Sequence, residues 1–335
     1  MSHSRRVLTA DERAASAASI IAMQQPDGLI LWMAGGHADP WNHVESAMAL
    51  DVVGHTDEAR WAFAWLRDHQ RADGSWHQYY AAWGVEDEKF DANTIAYVAV
   101  GVMHHWLATS DDAWLRAQWS MVAQAIDFVL TLQQPTGEVF WALEPDGTPF
   151  HYALVTGSSS ICHSLRCAIV LAKHLGEETH QLEDAYDRLH RALRDHEREF
   201  FAEKDRWAMD WYYPVLSGVH SGDAARARLA ASWDRFVLGS DGVRCVDDHP
   251  WVTTGETAEA AIACWLAGMC NEAESLLRSC GRLRADDGSY FTGLHVPSAE
   301  WFPENERTTY STAAVVLADA LLAGDRPTSV VFGVR

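Results

Sequence analysis

The chain has no CxxC pair, no zinc-ligand spacing, and none of the HExxH, GxGxxG, P-loop or GxSxG patterns that mark metal, nucleotide or serine-nucleophile chemistry. No cofactor or metal is therefore expected. Prolines are few, 10 in 335 residues, and no apolar run approaches the roughly 20 residues that cross a bilayer. The opening MSHSRRVLTADERAA lacks the apolar core of a signal peptide. Three of the six cysteines fall inside apolar helical patterns, so the thiols read as buried and reduced and the protein as cytoplasmic. Positive charge is also short: 26 Lys and Arg against 47 Asp and Glu leave a formal charge of −21, which opposes nucleic-acid binding.

Tryptophan, by contrast, is abundant, with 16 copies. Many follow turns of one kind: QQPDGLILW (24–32), HQRADGSW (69–76) and QQPTGEVFW (133–141), with weaker copies at LGSDGVRC (238–245) and RADDGSYF (284–291). The turn glycines stand at 28, 74, 137, 242 and 288, and KDRWAMDWYY (204–213) fills the long gap without a glycine. Six units of about 50 residues mark a repeat architecture.

Between turns the apolar period is helical, and the helices alternate in character. Those near 56–70, 111–134, 181–201, 221–237 and 271–280 are charged on one side, as outer helices are. Their neighbours are apolar all round, as inner helices are. The expectation is an all-α chain: six helical hairpins, twelve helices, closed into a single (α/α)6 barrel over 1–335.

In such a ring every inner helix starts at the same end, so the segments entering them meet around one pocket. They carry Asp39, Trp41, His43 and Glu45; Trp83 and Asp91; Asp210, Trp211 and Tyr213; Asp248, Trp251 and Glu256; and Trp301, Glu304 and Glu306. Carboxylates among aromatic walls suit a polyhydroxylated or cationic small molecule. Asp39, Asp91 and Glu256 also stand where they would cap inner helices, and the mid-helix pair His104 and His105 reads as core.

Two local patterns resemble the glucoamylase branch of inverting α/α-toroid glycosidases. In that family a Pro-Glu before the last inner helix supplies the general base, and WFPENERTTYSTAAVVLADAL (301–321) is similar, with Pro303–Glu304. The family's acid precedes a Ser-bearing helix that ends in Leu-Gly. EVFWALEPDGTPFHYALVTGSSSICHSLRCAIVLAKHLG (138–176) matches that layout, but Ala142 occupies the acid's place, with Glu138 and Glu144 nearby. The resemblance implies a hydrolase of small soluble glycosides, with Glu304 as base and the acid among Glu138, Asp210, Asp248 and Glu256. Glu306 is the neighbouring rival for the base, and Asp39, Trp41, His43, Glu45, Trp83, Asp91, Trp211, Tyr213, Trp251 and Trp301 would bind substrate.

FAWLRDHQRADGSW (63–76) resembles the Gln-Trp repeat of terpene cyclases and of protein prenyltransferase β-subunits, which share the toroid. This second resemblance implies chemistry on an isoprenoid with Asp248 as proton donor. A third reading is a toroid without catalysis that binds a sugar or a protein. A cyclase pocket is apolar below its acid, whereas a glycosidase pocket is polar there.

Overall fold

The computed structural model describes residues 5–333. Six hairpins follow one another. Their helices are α1 (Ala10–Ile21) with α2 (Pro40–Val53); α3 (Thr56–His69) with α4 (Ala92–Ala96) and α5 (Val98–Thr109); and α6 (Asp112–Leu130) with α7 (Val155–Leu175). The second half repeats this with α8 (His180–Asp195), α9 (Glu197–Phe200) and α10 (Ala208–Leu216), then α11 (Gly222–Ala231), α12 (Trp233–Phe236) and α13 (Thr254–Leu266), and finally α14 (Cys270–Ser279) with α15 (Thr309–Ala323). A further helix, α16 (Arg326–Gly333), lies outside the twelve-helix pattern expected from the sequence.

The first helix of each hairpin lies outside and the second inside. Outer α8 buries Ala185, Leu189, Ala192 and Leu193, a single stripe at helical spacing, and leaves its charges in water. Inner α15 buries nearly every side chain. Inner neighbours pack in ring order, and α15 returns to pack on α2. The chain is thus an all-α toroid. Helix α7 alone, among the described residues, is long and apolar enough to cross a membrane; 83% of that window is buried within the fold.

The recurrent turns explain how outer helices register. Gln24 donates to Gly28 O and to Glu58 O on the next outer helix; Gln70 does the same to Gly74 and Met121, and Gln133 to Gly137 and Ala185, all at 2.9–3.2 Å. The glycines sit at positive φ with the following helix's backbone against them. A Cβ on Gly74 would overlap the Gln124 carbonyl, so a side chain has no room. The last turn closes the circle: Gly288 lies against Ala15 of α1, and Ser16 Oγ donates to Gly288 O at 2.9 Å.

Short strands decorate the end where inner helices begin. β1 (His37–Ala38), β2 (Tyr79–Ala81) and β3 (Gly84–Asp87) form an antiparallel sheet, and β4 (Phe90–Asp91) pairs with β5 (Ala142–Leu143). The third sheet is β6 (Trp251–Thr253), β7 (Phe291–His295) and β8 (Glu300–Arg307). At the opposite end α16 packs on α5 and α15, with His104 Nε2 3.2 Å from Thr328 Oγ1 and His163 Nε2 2.9 Å from Val331 O. His105 meets Asp51 at 2.9 Å, so both mid-helix histidines are core groups with partners. All six cysteines are free; burial pushes the Cys162 thiol up to about 12, which keeps it protonated.

Candidate active site at the mouth of the toroid

Three layers of the mouth follow from the inner-helix starts. At the rim, Asp39 caps α2: its carboxylate accepts from Asn42 N (3.0 Å), Asn42 Nδ2 (2.6 Å) and Trp32 Nε1 (2.9 Å). Asp91 caps α4 in the same way, accepting from Asn93 N, Thr94 N and the indole of Trp141. So two of the turn tryptophans orient helix-capping carboxylates, while Trp76 is fully buried and donates to Leu66 O. Burial raises both aspartates, Asp91 to about 6. Ala142 is the strand partner of Asp91.

The middle layer joins α2, α13 and α15. Trp32 packs edge-on against Tyr310, 5.0 Å between ring centres, and the Tyr310 ring lies where a Cβ on Gly255 would touch it at 3.8 Å. Burial pushes the Tyr310 hydroxyl well above the usual phenol range, with the charges of Glu256 and Glu306 adding to it. Both carboxyls are therefore close enough to act on one phenol. Glu256 occupies the first turn of α13 and is raised by burial; Glu306 accepts from Thr292 Oγ1 at 2.9 Å.

The floor is made by side chains one turn deeper. Glu45 Oε1 accepts from Trp41 Nε1 (3.0 Å) and Tyr97 OH (3.1 Å), and Glu259 accepts from Tyr212 OH. Trp41 lies between Tyr97 and Tyr213, 5.5 and 5.7 Å away. Desolvation raises Glu45 to about 7 and Glu259 well above its ordinary range, with charge repulsion from Glu45 adding to the rise of Glu259. Two carboxyls at this depth offer hydrogen-bond partners for hydroxyl groups, in place of the apolar wall that an isoprenoid would need.

The sequence candidates therefore separate. Asp39, Trp41, Glu45, Asp91, Tyr213 and Glu256 gather around the mouth and its floor. His43 turns outward instead: Ile30 N donates to its Nδ1 and its Nε2 meets Ala62 O at 2.9 Å, so it pins the turn to α3, and burial lowers it to about 4. Trp211 also faces the outer wall, donating to Leu229 O and stacking on Phe236. Asp210 accepts from Thr156 N at 3.2 Å and, raised by burial to about 6, fixes α10 to the start of α7.

Asp248 is exposed, with Arg206 at 2.9 Å and His249 at 3.0 Å, and those hydrogen bonds hold it down at about 2. An acid of that strength carries no proton to donate near neutral pH. Glu304 is exposed on β8, and Trp251 and Trp301 stack on Phe302 and Phe291 within the third sheet. Glu138 belongs to the turn beneath α8, away from the mouth. Sequence reasoning missed Glu259, Tyr97, Tyr212 and Tyr310. The available signal was the i, i+4 step from Trp41 to Glu45 and the i, i+3 step from Glu256 to Glu259, which carry a rim group down to the floor.

No family model matches the chain. Solved structures that share the fold include a glycosidase variant in complex with glucose (TM-score 0.75, 14% identity, 94% of this chain and 96% of that one) and a D-mannose isomerase (0.71, 11%, 92% and 96%). A GH63 mannosylglycerate hydrolase from Thermus thermophilus in complex with glucose superposes similarly (0.70, 13%, 92% and 99%). In sequence, the MMP endo-(1,4)-3-O-methyl-alpha-D-mannosidase of Mycolicibacterium hassiacum is 46% identical over 326 residues, 97% of this chain and 90% of that protein. Identity at that level along almost the whole length, on a toroid with a carboxyl-rich mouth, means that the chain belongs to the family of that mannosidase and is a glycoside hydrolase.

Proposed function

We propose that this protein cuts an internal (1,4) linkage in a glycan containing 3-O-methylmannose, with Glu256 as the proton donor and Asp39 as the general base. The observation that carries the substrate is the 46% identity to the enzyme of that specificity. The chemistry needs one carboxyl that keeps its proton and one that does not, on opposite sides of the bond. Inverting enzymes hold them roughly 6.5–9.5 Å apart to admit a water. Glu256 and Asp39 begin inner helices separated by one other, α15, in a ring whose neighbours pack about 8–10 Å apart. Side chains reaching inward from such positions leave a gap of that order.

Burial in a wall with Tyr310 raises Glu256, as a proton donor requires. Burial raises Asp39 as well, which strengthens it as a proton acceptor, while three donors converging on its carboxylate limit that rise. In the step, Glu256 protonates the leaving oxygen as the glycosidic bond breaks. Asp39 takes a proton from the water that attacks the anomeric carbon from the other face, so the product has inverted configuration. Trp41 and Tyr213 supply apolar surface on which a methyl ether can rest, and the floor carboxyls accept from ring hydroxyls.

The test is hydrolysis of a 3-O-methylmannose oligosaccharide followed by proton NMR of the first product anomer. Glu256→Gln and Asp39→Asn should each lower kcat by about 10²–10⁴-fold, while Glu304→Gln should leave it near that of the unchanged enzyme. Full activity in Glu256→Gln, or a first product with retained configuration, would refute the assignment.

A further inference from the structure

Among the described residues five large apolar side chains are exposed, and three of them occupy successive entries to the inner ring: Trp83 before α4, Tyr152 before α7 and Trp207 before α10. Leaving aromatic rings in water forgoes the gain of burying them, so such a clustering calls for an explanation. None of the three is loose. Trp83, 73% exposed, stands at the turn between β2 and β3, a hairpin tied to β1 by strand pairing and by the stack of His37 on Tyr79 at 4.3 Å. A contact of His37 Nδ1 with the Glu86 carboxylate at 2.7 Å braces its other strand. Tyr152 is backed by Trp141 at 5.7 Å, and Trp207 by the Arg206 guanidinium at 5.2 Å. Tyr152 and Trp207 are held from behind with their other face toward solvent, and Trp83 projects into solvent from the tip of a braced hairpin.

We propose that Trp83, Tyr152 and Trp207 form an outer glycan-binding arc, which holds the sugar rings of the substrate that extend beyond those at the scissile bond. The proposal rests on the function given above. With inner helices about 8–10 Å apart, three successive starts span an arc of about 20 Å, long enough for more than one sugar ring. The arc occupies the half of the rim opposite α13 and α15. The ligand class is a neutral oligosaccharide: aromatic faces stack on the C–H face of a pyranose, and neither a bare anion nor a cation is required. Internal cleavage demands such contact, because rings on one side of the cut have to be held outside the pocket.

The experiment compares a long 3-O-methylmannose oligosaccharide with a two-ring one for the unchanged enzyme, Trp83→Ala, Tyr152→Phe, Tyr152→Ala, Trp207→Ala and, as a control on the outer wall, Trp61→Ala. KM for the long substrate should rise about 2- to 12-fold for each lost ring, with the two-ring substrate and the Tyr152→Phe and Trp61→Ala enzymes unaffected. Calorimetric titration of the Glu256→Gln enzyme, with and without Trp83→Ala, against the long oligosaccharide reads binding apart from turnover. An equal effect on both lengths, or no loss of affinity in the titration, overturns the arc. An unchanged enzyme that binds the long chain through Trp83 yet cuts neither substrate would refute the function while leaving the arc standing.

Discussion

Replacing Glu45 by Gln tests the electrostatics of the pocket floor. Gln keeps an oxygen for Trp41 Nε1 and Tyr97 OH while removing the charge. In the folded protein burial, with the charge of Asp39 adding to it, raises the carboxyl from 4.5 to about 7. Its protonated form is thus the one the fold prefers. The stability associated with that proton is complete below pH 4.5 and is lost as pH rises through about 7. At 1.36 kcal/mol per pH unit, the full loss is about 3 kcal/mol.

Glu45→Gln does not suffer it. The variant should therefore exceed the unchanged protein in stability by a margin that grows by about 2–3 kcal/mol between pH 5 and pH 8. For 335 residues, with an unfolding entropy of about 2.1 cal/mol/K per residue, that margin is about 3–4 °C in Tm. Differential scanning calorimetry of both proteins at pH 5, 6, 7 and 8 reads it directly. A difference in Tm that stays flat across this range, or that favours the unchanged protein at pH 8, would refute the claim that a carboxyl is held there against its ionisation.

The ring-closing turn gives a second test: Gly288→Ala puts a Cβ 2.5 Å from the Ala15 carbonyl carbon at φ +87°, whereas Gly54→Ala at φ +93° meets nothing within 4 Å. The first should cost about 2–4 kcal/mol in urea unfolding and the second about 1–2, the difference being packing against α1; equal losses would count against closure through this contact. At the surface, Asp248→Asn should leave kcat/KM on the methylated oligosaccharide within about twofold, since its carboxylate is engaged with Arg206 and His249; a larger loss would restore Asp248 as a functional group.

The periodicities make the toroid readable because two different burial patterns alternate along the chain. The charge pattern of 181–201 suits a one-sided helix, and the apolar run of 309–323 suits a helix surrounded by others. The turn glycines are visible for the same kind of reason: a position crowded by backbone and held at positive φ needs Gly each time it recurs. Depth within the pocket is less visible. Trp41 and Trp211 look alike in sequence, yet one faces the axis and the other an outer helix, because α10 and α2 present different faces to the ring.

His43 departs from its expected place for a related reason. One residue along a helix rotates a side chain by about 100°, which suffices to exchange the pocket for the wall. Asp248 and Glu304 stand in motifs that put carboxylates near inner-helix starts, but proximity in sequence does not convey whether a side chain leans inward or into water. The break at Tyr97 between α4 and α5, which brings a phenol to Glu45, leaves no trace in composition.

Helix α16 has a consequence for traffic. Because it lies across the far end of the ring, a sugar chain cannot be threaded through the protein, and whatever goes in has to leave by the door it entered. Fragments released by a cut thus compete with incoming substrate for one opening, so the enzyme should slow as its own products accumulate, more steeply than an open-cleft hydrolase would.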